Sequence, residues 1–426
     1  MSLAILGILM IVVCFALVLS KRVHMIVPFI VVPIVFAALS GASLNEISEY
    51  VVSGVSSTNN AVMLILFSVA YFCVLSETGM FDVIVGKITR VTGNNVTVVM
   101  IATVLIALIG HLDGAYNTTY LITIPTLLPI YKRLKIDSRI LMFLTVMGAT
   151  AMCVVPWGAG VVQLTPFAGV EAIDISTRAL PFAILALVMA FVWIGIFTVS
   201  YKRQGIGAAV METAGEKEDV SDNPNARPEK FWINFIVFVV SIICLFFVHI
   251  QIYILFMIFT AVVLVINYDV KTQNALIRKY SATMLAPAIL FMCIGVMVGI
   301  MTGTGMVEAV IGVVLDAIPA GLARYTHVIF GILLVPIYLV LPYQVMLPIY
   351  PILTGIGASM GIPAVSIMLP FVLQYGTACS PLVAATNLGA ELAEINVIDH
   401  MKFSAWRCWI CSVILMAAMC ITGAVF

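Results

Sequence analysis

The sequence predicts an all-α polytopic membrane protein built from two inverted repeats, each with five spans and one re-entrant hairpin. Hydrophobic residues make up 63% of the 426 residues and charged residues only 9%, whereas soluble proteins carry about a quarter charged residues. Apolar stretches repeatedly reach the length of about 20 residues that a helix needs to cross a bilayer. Basic residues and short internal similarities then indicate how the spans are arranged.

Ten apolar stretches are predicted to cross the membrane. They cover residues 3–20, 24–40, 60–76, 140–168, 179–200, 231–248, 250–267, 281–302, 364–395 and 403–425. Two further apolar segments, 96–131 and 326–359, contain a polar or proline-containing break between two helical runs. Irregular backbone at membrane depth survives only where protein or water covers it. We therefore predict that both segments are re-entrant hairpins, which enter and leave on the same side.

The Lys and Arg residues predict the topology. With the N-terminus outside and each hairpin returning to its own side, the inward segments carry 17 of the 20 Lys and Arg residues. Only Arg178 and Arg324 fall on outward segments, and Arg407 lies just inside the last span at the inner end. Such an excess is typical of cytoplasmic loops. The prediction is a multi-pass protein of the inner (plasma) membrane with both termini outside.

Short similarities relate the two halves of the chain. Thr78-Gly-Met-Phe-Asp82 recurs as Thr304-Gly-Met-Val-Glu308, and Leu128-Pro-Ile-Tyr131 recurs as Leu347-Pro-Ile-Tyr350. Because each half holds an odd number of spans, the second half starts on the opposite side, which makes the repeat inverted. Inverted repeats with broken helices are typical of secondary transporters, whose binding site lies at the membrane midplane.

The predicted organisation has three parts. The first repeat, 1–200, has scaffold spans in 1–95 and a hairpin with a broken span in 96–175. A polar, flexible cytoplasmic linker covers 201–230. The second repeat, 231–426, has scaffold spans in 231–302 and a hairpin with a broken span in 326–395.

The break in the first hairpin carries the acid that is predicted to bind the coupling cation. Asp113 is the one acidic residue placed deep in a membrane segment, and His111 lies beside it. A carboxylate at the bilayer centre costs about 3 kcal/mol on insertion scales, so it needs a partner, a cavity or a proton. The alternative for Asp113 is a structural cap on the following helix. His111 is either a proton carrier or a hydrogen-bonded interior residue.

Asn117, Thr118 and Thr119 follow at the same break and are predicted to bind substrate. Side-chain oxygens at a hairpin tip suit a hard cation such as Na⁺, which also makes Asn117 and Thr119 candidates for the coupling cation. The helix N-terminus at this point suits an anionic group on a substrate. The alternative is an Asn/Thr helix cap that needs no ligand.

Two predicted spans also contain breaks. Pro156-Trp-Gly-Ala-Gly160 combines a proline, which removes a helix donor, with two flexible glycines. The matching break in the second half runs from Cys379 to Asn387. We predict that both breaks and both hairpin tips converge on one site, the alternatives being ordinary proline kinks and interfacial packing of the tyrosine. The candidate substrate-binding residues from these segments are Trp157, Gly158, Tyr343, Gln344, Ser380, Thr386 and Asn387.

The same motifs resemble those of the citrate–metal/proton symporter family, part of the ion transporter superfamily that includes the divalent-anion/sodium symporters. The similar runs are Gly110-His-Leu-Asp-Gly-Ala-Tyr-Asn-Thr-Thr-Tyr120, Leu128-Pro-Ile-Tyr-Lys-Arg-Leu134, Val155-Pro-Trp-Gly158, Ser380-Pro-Leu-Val-Ala-Ala-Thr386 and Asp399-His400. The resemblance covers most of the chain. It implies a scaffold region that forms a homodimer, a transport region with elevator-like movement, carboxylate substrates such as citrate, and H⁺ or Na⁺ coupling.

The sequence departs from the family pattern at three places. Ala115 and Tyr116 stand where the family usually has a second acid, and Leu341-Pro-Tyr-Gln344 stands where its second tip is usually acidic. Gly160-Val-Val-Gln163 is neutral where an Arg is common. Fewer acids offer less to a metal-complexed substrate, and the missing Arg removes a fixed cation for a tricarboxylate. The identity of the anion therefore stays open.

We predict a cation-coupled symporter of a small organic anion, with a cation/proton antiporter acting through Asp113 as the alternative. The expected partners are the anionic substrate, the lipid bilayer and a second copy of the chain; no nucleic acid, cofactor or resident metal is expected. An enzyme is not expected, because the sequence has no clustered nucleophile–base or metal-ligand set. A channel does not need inverted halves with paired breaks.

Overall fold

The computed structural model describes residues 2–20, 22–24, 26–92, 95–203, 223–248 and 250–426, and these form helices without strands. The helices of the first half are α1 (Leu3–Ser20), α2 (Ile26–Leu39), α3 (Leu44–Glu77), α4 (Met80–Thr92), α5 (Val96–Gly110), α6 (Tyr116–Arg133), α7 (Ser138–Met152), α8 (Ala159–Val162), α9 (Thr165–Ala168) and α10 (Ala172–Arg203). The predicted all-α class is confirmed.

The second half contains eleven more helices and two of the three 3₁₀ turns in the described residues. The helices are α11 (Phe231–Phe247), α12 (Ile252–Asn267), α13 (Val270–Gly303), α14 (Met306–Ala317), α15 (Ala320–Ala323), α16 (Thr326–Val340), α17 (Tyr350–Ser359), α18 (Ala364–Met368), α19 (Tyr375–Cys379), α20 (Ala384–Leu392) and α21 (Val397–Ile421). The turns are Pro228–Lys230, Tyr343–Met346 and Leu369–Phe371.

Six helices in the described part of the chain are long and apolar enough to cross a membrane. They are α1, α3, α10, the segment Pro228–Leu245 that includes most of α11, α13 and α21. A seventh crossing results if the bent pair Ala364–Cys379 and Ala384–Leu392, whose parts meet at 48°, counts as one broken span. The remaining predicted spans coincide with shorter apolar helices such as α2 and α12. The chain is therefore a multi-pass membrane protein, and the outward position of its termini stays a prediction.

Two spans are longer than predicted. α3 begins at Leu44 instead of residue 60, and α13 begins at Val270 instead of residue 281. A capping box fixes the start of α3: the Glu46 N–H donates to Ser43 Oγ at 3.3 Å, and the Ser43 N–H donates to Glu46 Oε2 at 2.8 Å. The polar residues of this first part suggested an outer loop, but the cap and the packing against α13 make it helical.

The helix pattern repeats locally between the halves. α3 and α13 each have 34 residues, and each is followed by a short turn and an amphipathic helix, α4 or α14, that the sequence analysis treated as a loop. Both turns contain a glycine with φ of 74°, Gly79 and Gly305, in the left-handed region that favours glycine. The repeat predicts this agreement, while the inverted orientation of the second half stays a prediction.

α3 and α13 pack with their backbones almost in contact. A Cβ atom added to Gly299 would lie 2.1 Å from the Tyr50 carbonyl oxygen, and one added to Gly54 would lie 2.0 Å from the Gly295 carbonyl oxygen. Small residues at a helix interface let membrane helices approach closely. The two longest membrane helices therefore form one unit that joins the two halves.

The end of the predicted linker is bound to the end of α3. Residues 204–222 lie outside the described part of the chain. Asn223 Nδ2 donates to the Glu77 carbonyl oxygen at 2.9 Å, and the Arg227 N–H donates to the Thr78 carbonyl oxygen at 2.8 Å. The last residues of the segment predicted as flexible are thus hydrogen-bonded to the helix pair.

The close packing of α3 on α13 predicts that one methyl group added at this contact strongly lowers the stability of the fold. Gly299→Ala should lower the unfolding temperature in detergent by several degrees, because overpacking a tight contact costs about 1–3 kcal/mol. The matched control is Gly195→Ala in α10, where an added Cβ atom meets nothing within 4 Å. Equal unfolding temperatures for the two variants would contradict the close contact of α3 with α13.

Candidate functional site

The first hairpin breaks between α5 and α6 at a glycine turn. Gly114 has φ of 74°, which side-chain-bearing residues rarely adopt. The Asp113 carboxylate accepts a hydrogen bond from the Ala115 N–H at 2.9 Å, and the Thr118 hydroxyl also donates to it. Ala115 is the N-cap of α6 and has no side-chain cap, so Asp113 closes the turn just before the helix instead of capping it, and its half-buried side chain borders the break.

His111 ties the hairpin tip to α7. The Thr119 hydroxyl donates to the Ala115 carbonyl oxygen at 2.9 Å, so it accepts from His111 Nδ1–H at 2.8 Å. This arrangement leaves His111 Nε2 as an acceptor, 3.6 Å from the Cys153 thiol. His111 and Thr119 are both buried. The hydrogen bond between these two side chains links the start of α6 to the end of α5 and fixes the tip.

Tyr116, the first residue of α6, adds a second contact with α7. Its hydroxyl lies 3.1 Å from Thr150 Oγ1, and its ring centroid lies 4.8 Å from that of His111. A buried polar network of this kind keeps one geometry when its members are satisfied. The tip is therefore held against the end of α7, the helix that breaks next.

The break after α7 packs directly on the hairpin tip. Trp157 Nε1–H donates to the Leu112 carbonyl oxygen at 2.5 Å, and its ring stacks on Phe72 of α3 with centroids 5.7 Å apart. A Cβ atom added to Gly114 would lie 2.6 Å from Gly158 Cα. The indole N–H and both glycines thus join two breaks that are more than 40 residues apart in the chain.

The break in the second half is also closed by internal hydrogen bonds. Ser380 Oγ accepts from the Leu382 N–H at 3.2 Å, and the Thr386 hydroxyl donates to the Thr377 carbonyl oxygen at 3.1 Å. Ser380 and Thr386 are fully buried. Asn387 is exposed, and its amide donates to two carbonyl oxygens of the break at 2.8 and 2.9 Å. Of these three predicted ligands, Asn387 alone faces open space.

The second hairpin tip lies in the turn Tyr343–Met346, where Tyr343 is half-buried and Gln344 is buried. Directly after this turn, the Tyr350 ring packs on Phe371 at 5.1 Å and on Phe167 at 5.3 Å. The second hairpin therefore reaches α9 of the first half. The role of Tyr343 and Gln344 as ligands stays a prediction.

α6 and α20, the helices that begin at the two breaks, lie side by side. A Cβ atom added to Gly389 of α20 would lie 3.0 Å from the ring of Tyr120 of α6. Further along both segments, Lys132 Nζ lies 2.6 Å from Glu394 Oε2. The contacts occur in the same order along both chains, so the helices run in the same direction. Their N-terminal ends therefore point to the same side.

Asn117 and Asn387 occupy the first turns of these two helices, and both are exposed. The Asn117 side chain has no hydrogen-bond partner among the described residues. Free backbone N–H groups and the positive end of the helix dipole make such N-terminal turns suitable for carboxylates. The segments 110–119, 153–160, 341–349 and 379–387 contain no Lys or Arg.

Comparison with known proteins places this geometry in a family. Residues 15–390 match the model of the citrate transporter family (CitMHS). The chain belongs to this family. The resemblance predicted from the motifs is confirmed, and so is the prediction that the protein is a transporter and not an enzyme.

Individual relatives of the citrate transporter family cover the whole chain. It is 27% identical to the Mg(2+)/citrate complex secondary transporter of Bacillus subtilis (strain 168), over 99% of each chain. It is 28% identical to the citrate transporter of the same organism, over 98% of this chain and 99% of the relative. The fold is similar to the crystal structure of the Alcanivorax borkumensis YdaH transporter, with a TM-score of 0.60, 14% identity and 87% of each chain covered.

Sequence reasoning missed one buried acid of this family member. Glu77 lies at the end of α3, and its side chain is only 3% exposed. Its carboxylate accepts from Lys279 Nζ at 2.8 Å and from Asn225 Nδ2 at 2.8 Å, and also from the Tyr280 hydroxyl. Glu77 directly follows the predicted span 60–76, and its partners Lys279 and Tyr280 lie more than 200 positions away in the chain, so no local pattern indicates its burial. Among the described residues, no group of three or more His, Cys, Asp or Glu side chains could hold a metal ion.

The contact between Trp157 and Leu112 predicts a local effect. Trp157→Phe keeps the ring but removes the N–H, and an unsatisfied buried carbonyl costs about 1–3 kcal/mol. We expect faster hydrogen–deuterium exchange at residues 110–119. The control is Trp232→Phe, because Trp232 is 68% exposed. Unchanged exchange at the tip in the Trp157 variant would show that this bond does not hold it.

Proposed function

We propose that this member of the citrate transporter family is a cation-coupled symporter of a small organic anion, a carboxylate such as citrate. The observation that carries the proposal is that α6 and α20 both begin at breaks and lie side by side in the same direction. Asn117 and Asn387 lie in their first turns and are exposed. The names of two relatives, which mention citrate, support the carboxylate class.

Carboxylate binding here would rest on backbone N–H groups and on the amide of Asn117. A helix N-terminus carries roughly half a positive charge, so two of them offset about one negative charge. Because the break segments contain no Lys or Arg, further negative charge on the substrate needs a cation that arrives with it. This charge balance is the physical reason for coupling.

Asp113 is the proposed coupling group. Its carboxylate lies at the start of α6 and is bound to Ala115 and Thr118. It would take up a proton, or bind Na⁺ together with oxygen atoms of Asn117 and the open turn. Either cation would neutralise the carboxylate when the anion binds. A low-dielectric site makes an uncompensated pair of negative charges unfavourable.

The proposed movement is elevator-like. The pair of α3 and α13 would form the static part, because their backbones touch at Gly54 and Gly299. The hairpins and broken helices would move against it as one body, since Trp157 and His111 tie the first tip to α7. The stacked rings of Phe72 and Trp157 would lie at the sliding surface. A homodimer formed through the static part stays a prediction.

Purified protein in liposomes tests the coupling. Asp113→Asn keeps an oxygen that can accept from the Ala115 N–H but removes the titratable group and the charge. We expect citrate uptake driven by an imposed H⁺ or Na⁺ gradient to fall by about two orders of magnitude, the size of losing a stabilising interaction of roughly 3 kcal/mol. The matched control is Asp174→Asn in the first turn of α10, where the acid is exposed.

The outcomes of the Asp113 experiment are distinct. Uptake in the variant with unchanged rate and pH dependence would contradict Asp113 as the coupling group. If citrate and other di- and tricarboxylates never enter with the native protein, symport itself is contradicted. Gradient-driven Na⁺/H⁺ exchange without any organic anion would then support the antiporter alternative.

The two asparagines provide a second test. Asn117→Ala should raise the KM for citrate about tenfold, because it removes an amide without an internal partner, and such a hydrogen bond to a charged group is worth about 1.5 kcal/mol. Asn387→Ala is the control and should leave the KM nearly unchanged, because both N–H groups of its amide already donate to carbonyl oxygens of the break. Uptake assays at varied citrate concentration measure these values. A KM equal to that of the native protein in Asn117→Ala would place the anion elsewhere.

A further inference from the structure

Arg407 in α21 is half-buried and differs electrostatically from the basic residues that form ion pairs. Three ion pairs join side chains in the described residues, and the basic partners are Lys132, Arg139 and Lys279. The Arg407 guanidinium donates to the Phe403 carbonyl oxygen of its own helix, and its buried Nε has no acceptor in the described part of the chain. Since Arg stays charged in proteins, this part of α21 carries a positive charge without a carboxylate.

Aromatic rings hold the Arg407 guanidinium in place. Its central carbon lies 3.8 Å from the ring centroid of Phe403 and 4.3 Å from that of Trp406. The rings of Trp193 and Phe197 in α10 lie 5.6 and 5.8 Å away. Cation–π contacts orient a cation but do not neutralise it. The group is therefore pre-organised between α10 and α21 with its charge uncompensated.

A second guanidinium shares the same ring. Arg139, at the start of α7, lies 5.3 Å from the Phe403 centroid. Asp137 neutralises it through contacts of 2.5 and 2.9 Å. The exposed Asp399 and Lys402, in the first turns of α21, carry opposite charges. The excess positive charge of this cluster thus remains with Arg407.

The surroundings of Arg407 are the lipid-facing faces of two membrane helices. Trp406 is 48% exposed on α21, and Val192 and Ile196 are 55% and 50% exposed on α10. Trp residues concentrate where a bilayer meets water. Arg side chains in helices point toward the helix N-terminus, which for α21 is the end with the predicted cytoplasmic loops. The cation is therefore expected at the boundary of headgroups and acyl chains.

We propose that Arg407 binds the phosphate of an anionic phospholipid of the inner leaflet, with acyl chains along the exposed faces of α10 and α21. A guanidinium offers parallel N–H groups that match two phosphate oxygens. An anionic lipid supplies the missing negative charge, whereas a zwitterionic lipid brings its own cation. The inner leaflet is the anionic one in the predicted topology.

The test measures binding of phosphatidylglycerol to the full-length protein. Native protein, Arg407→Gln and Arg324→Gln are purified in detergent, and bound lipid is counted by native mass spectrometry and titrated by thermal shift. Arg324 is the matched control, because it also lies over a ring, 5.2 Å from the Phe426 centroid, but on a predicted outer loop. We expect Arg407→Gln to weaken phosphatidylglycerol binding about tenfold or more, the effect of one charge-assisted contact, and Arg324→Gln to leave it unchanged.

Three outcomes overturn the proposal. The first is that Arg407→Gln binds phosphatidylglycerol as tightly as the native protein does. The second is that phosphatidylcholine stabilises the native protein as much as phosphatidylglycerol, which would remove the role of net charge. The third is that glycerol phosphate alone gives the full stabilisation, which would make the site one for a soluble phosphate. If Arg407→Gln does not fold, Arg407→Lys serves instead: it keeps the charge but not the paired N–H groups, and binding equal to that of the native protein contradicts the proposal.

Discussion

Every break in a membrane helix leaves backbone N–H and C=O groups that lipid cannot satisfy, and this constraint shapes the protein. The structure meets it with hydrogen bonds within each break and between the two breaks of the first half. Trp157 donates to the Leu112 carbonyl, and Thr386 donates to the Thr377 carbonyl. His111 and Thr119 bind each other at the first tip. The same bonds that remove the cost of irregular backbone also join the hairpin and the broken helix into one body.

A second set of contacts holds the long helices that this body rests on. Gly54 and Gly299 bring the backbones of α3 and α13 together, where any larger residue would clash. Glu77 then fastens the end of α3 to Lys279 and to the last part of the linker. A buried carboxylate with several donors is costly to disturb, because removing one partner leaves charge in a dry environment. These contacts connect the two halves of the chain and give the site a firm support.

Charged side chains are few, and they differ between the breaks, where the proposed transport site lies, and the surroundings of Arg407. The breaks offer helix N-termini, the Asn117 amide and Asp113 but no Lys or Arg side chain, so the proposed anion would be balanced by helix dipoles and by a cation that travels with it. Arg407 lies outside this site, between aromatic rings at the lipid-facing surface. Under the proposed function, the first region would release its anion when the cation leaves, whereas Arg407 keeps its positive charge permanently.

Composition and local chemistry determined much of this protein. The apolar content predicted a multi-pass helical chain, and Pro156, Gly114 and Pro342 marked breaks where the structure has them, because proline and glycine act on their own backbone. The tertiary structure decided what depends on distant partners. The first turns of α3 have the polar sequence of a loop, and they are helical because α13 packs against them. The sequence did not predict the amphipathic helices α4 and α14. Glu77 pairs with Lys279, which lies 202 positions away in the chain. The side chains of Thr119, Ser380 and Thr386 form internal hydrogen bonds, whereas Asn117 and Asn387 are exposed. Such pairings follow from folding in three dimensions, and no local pattern in the sequence contains them.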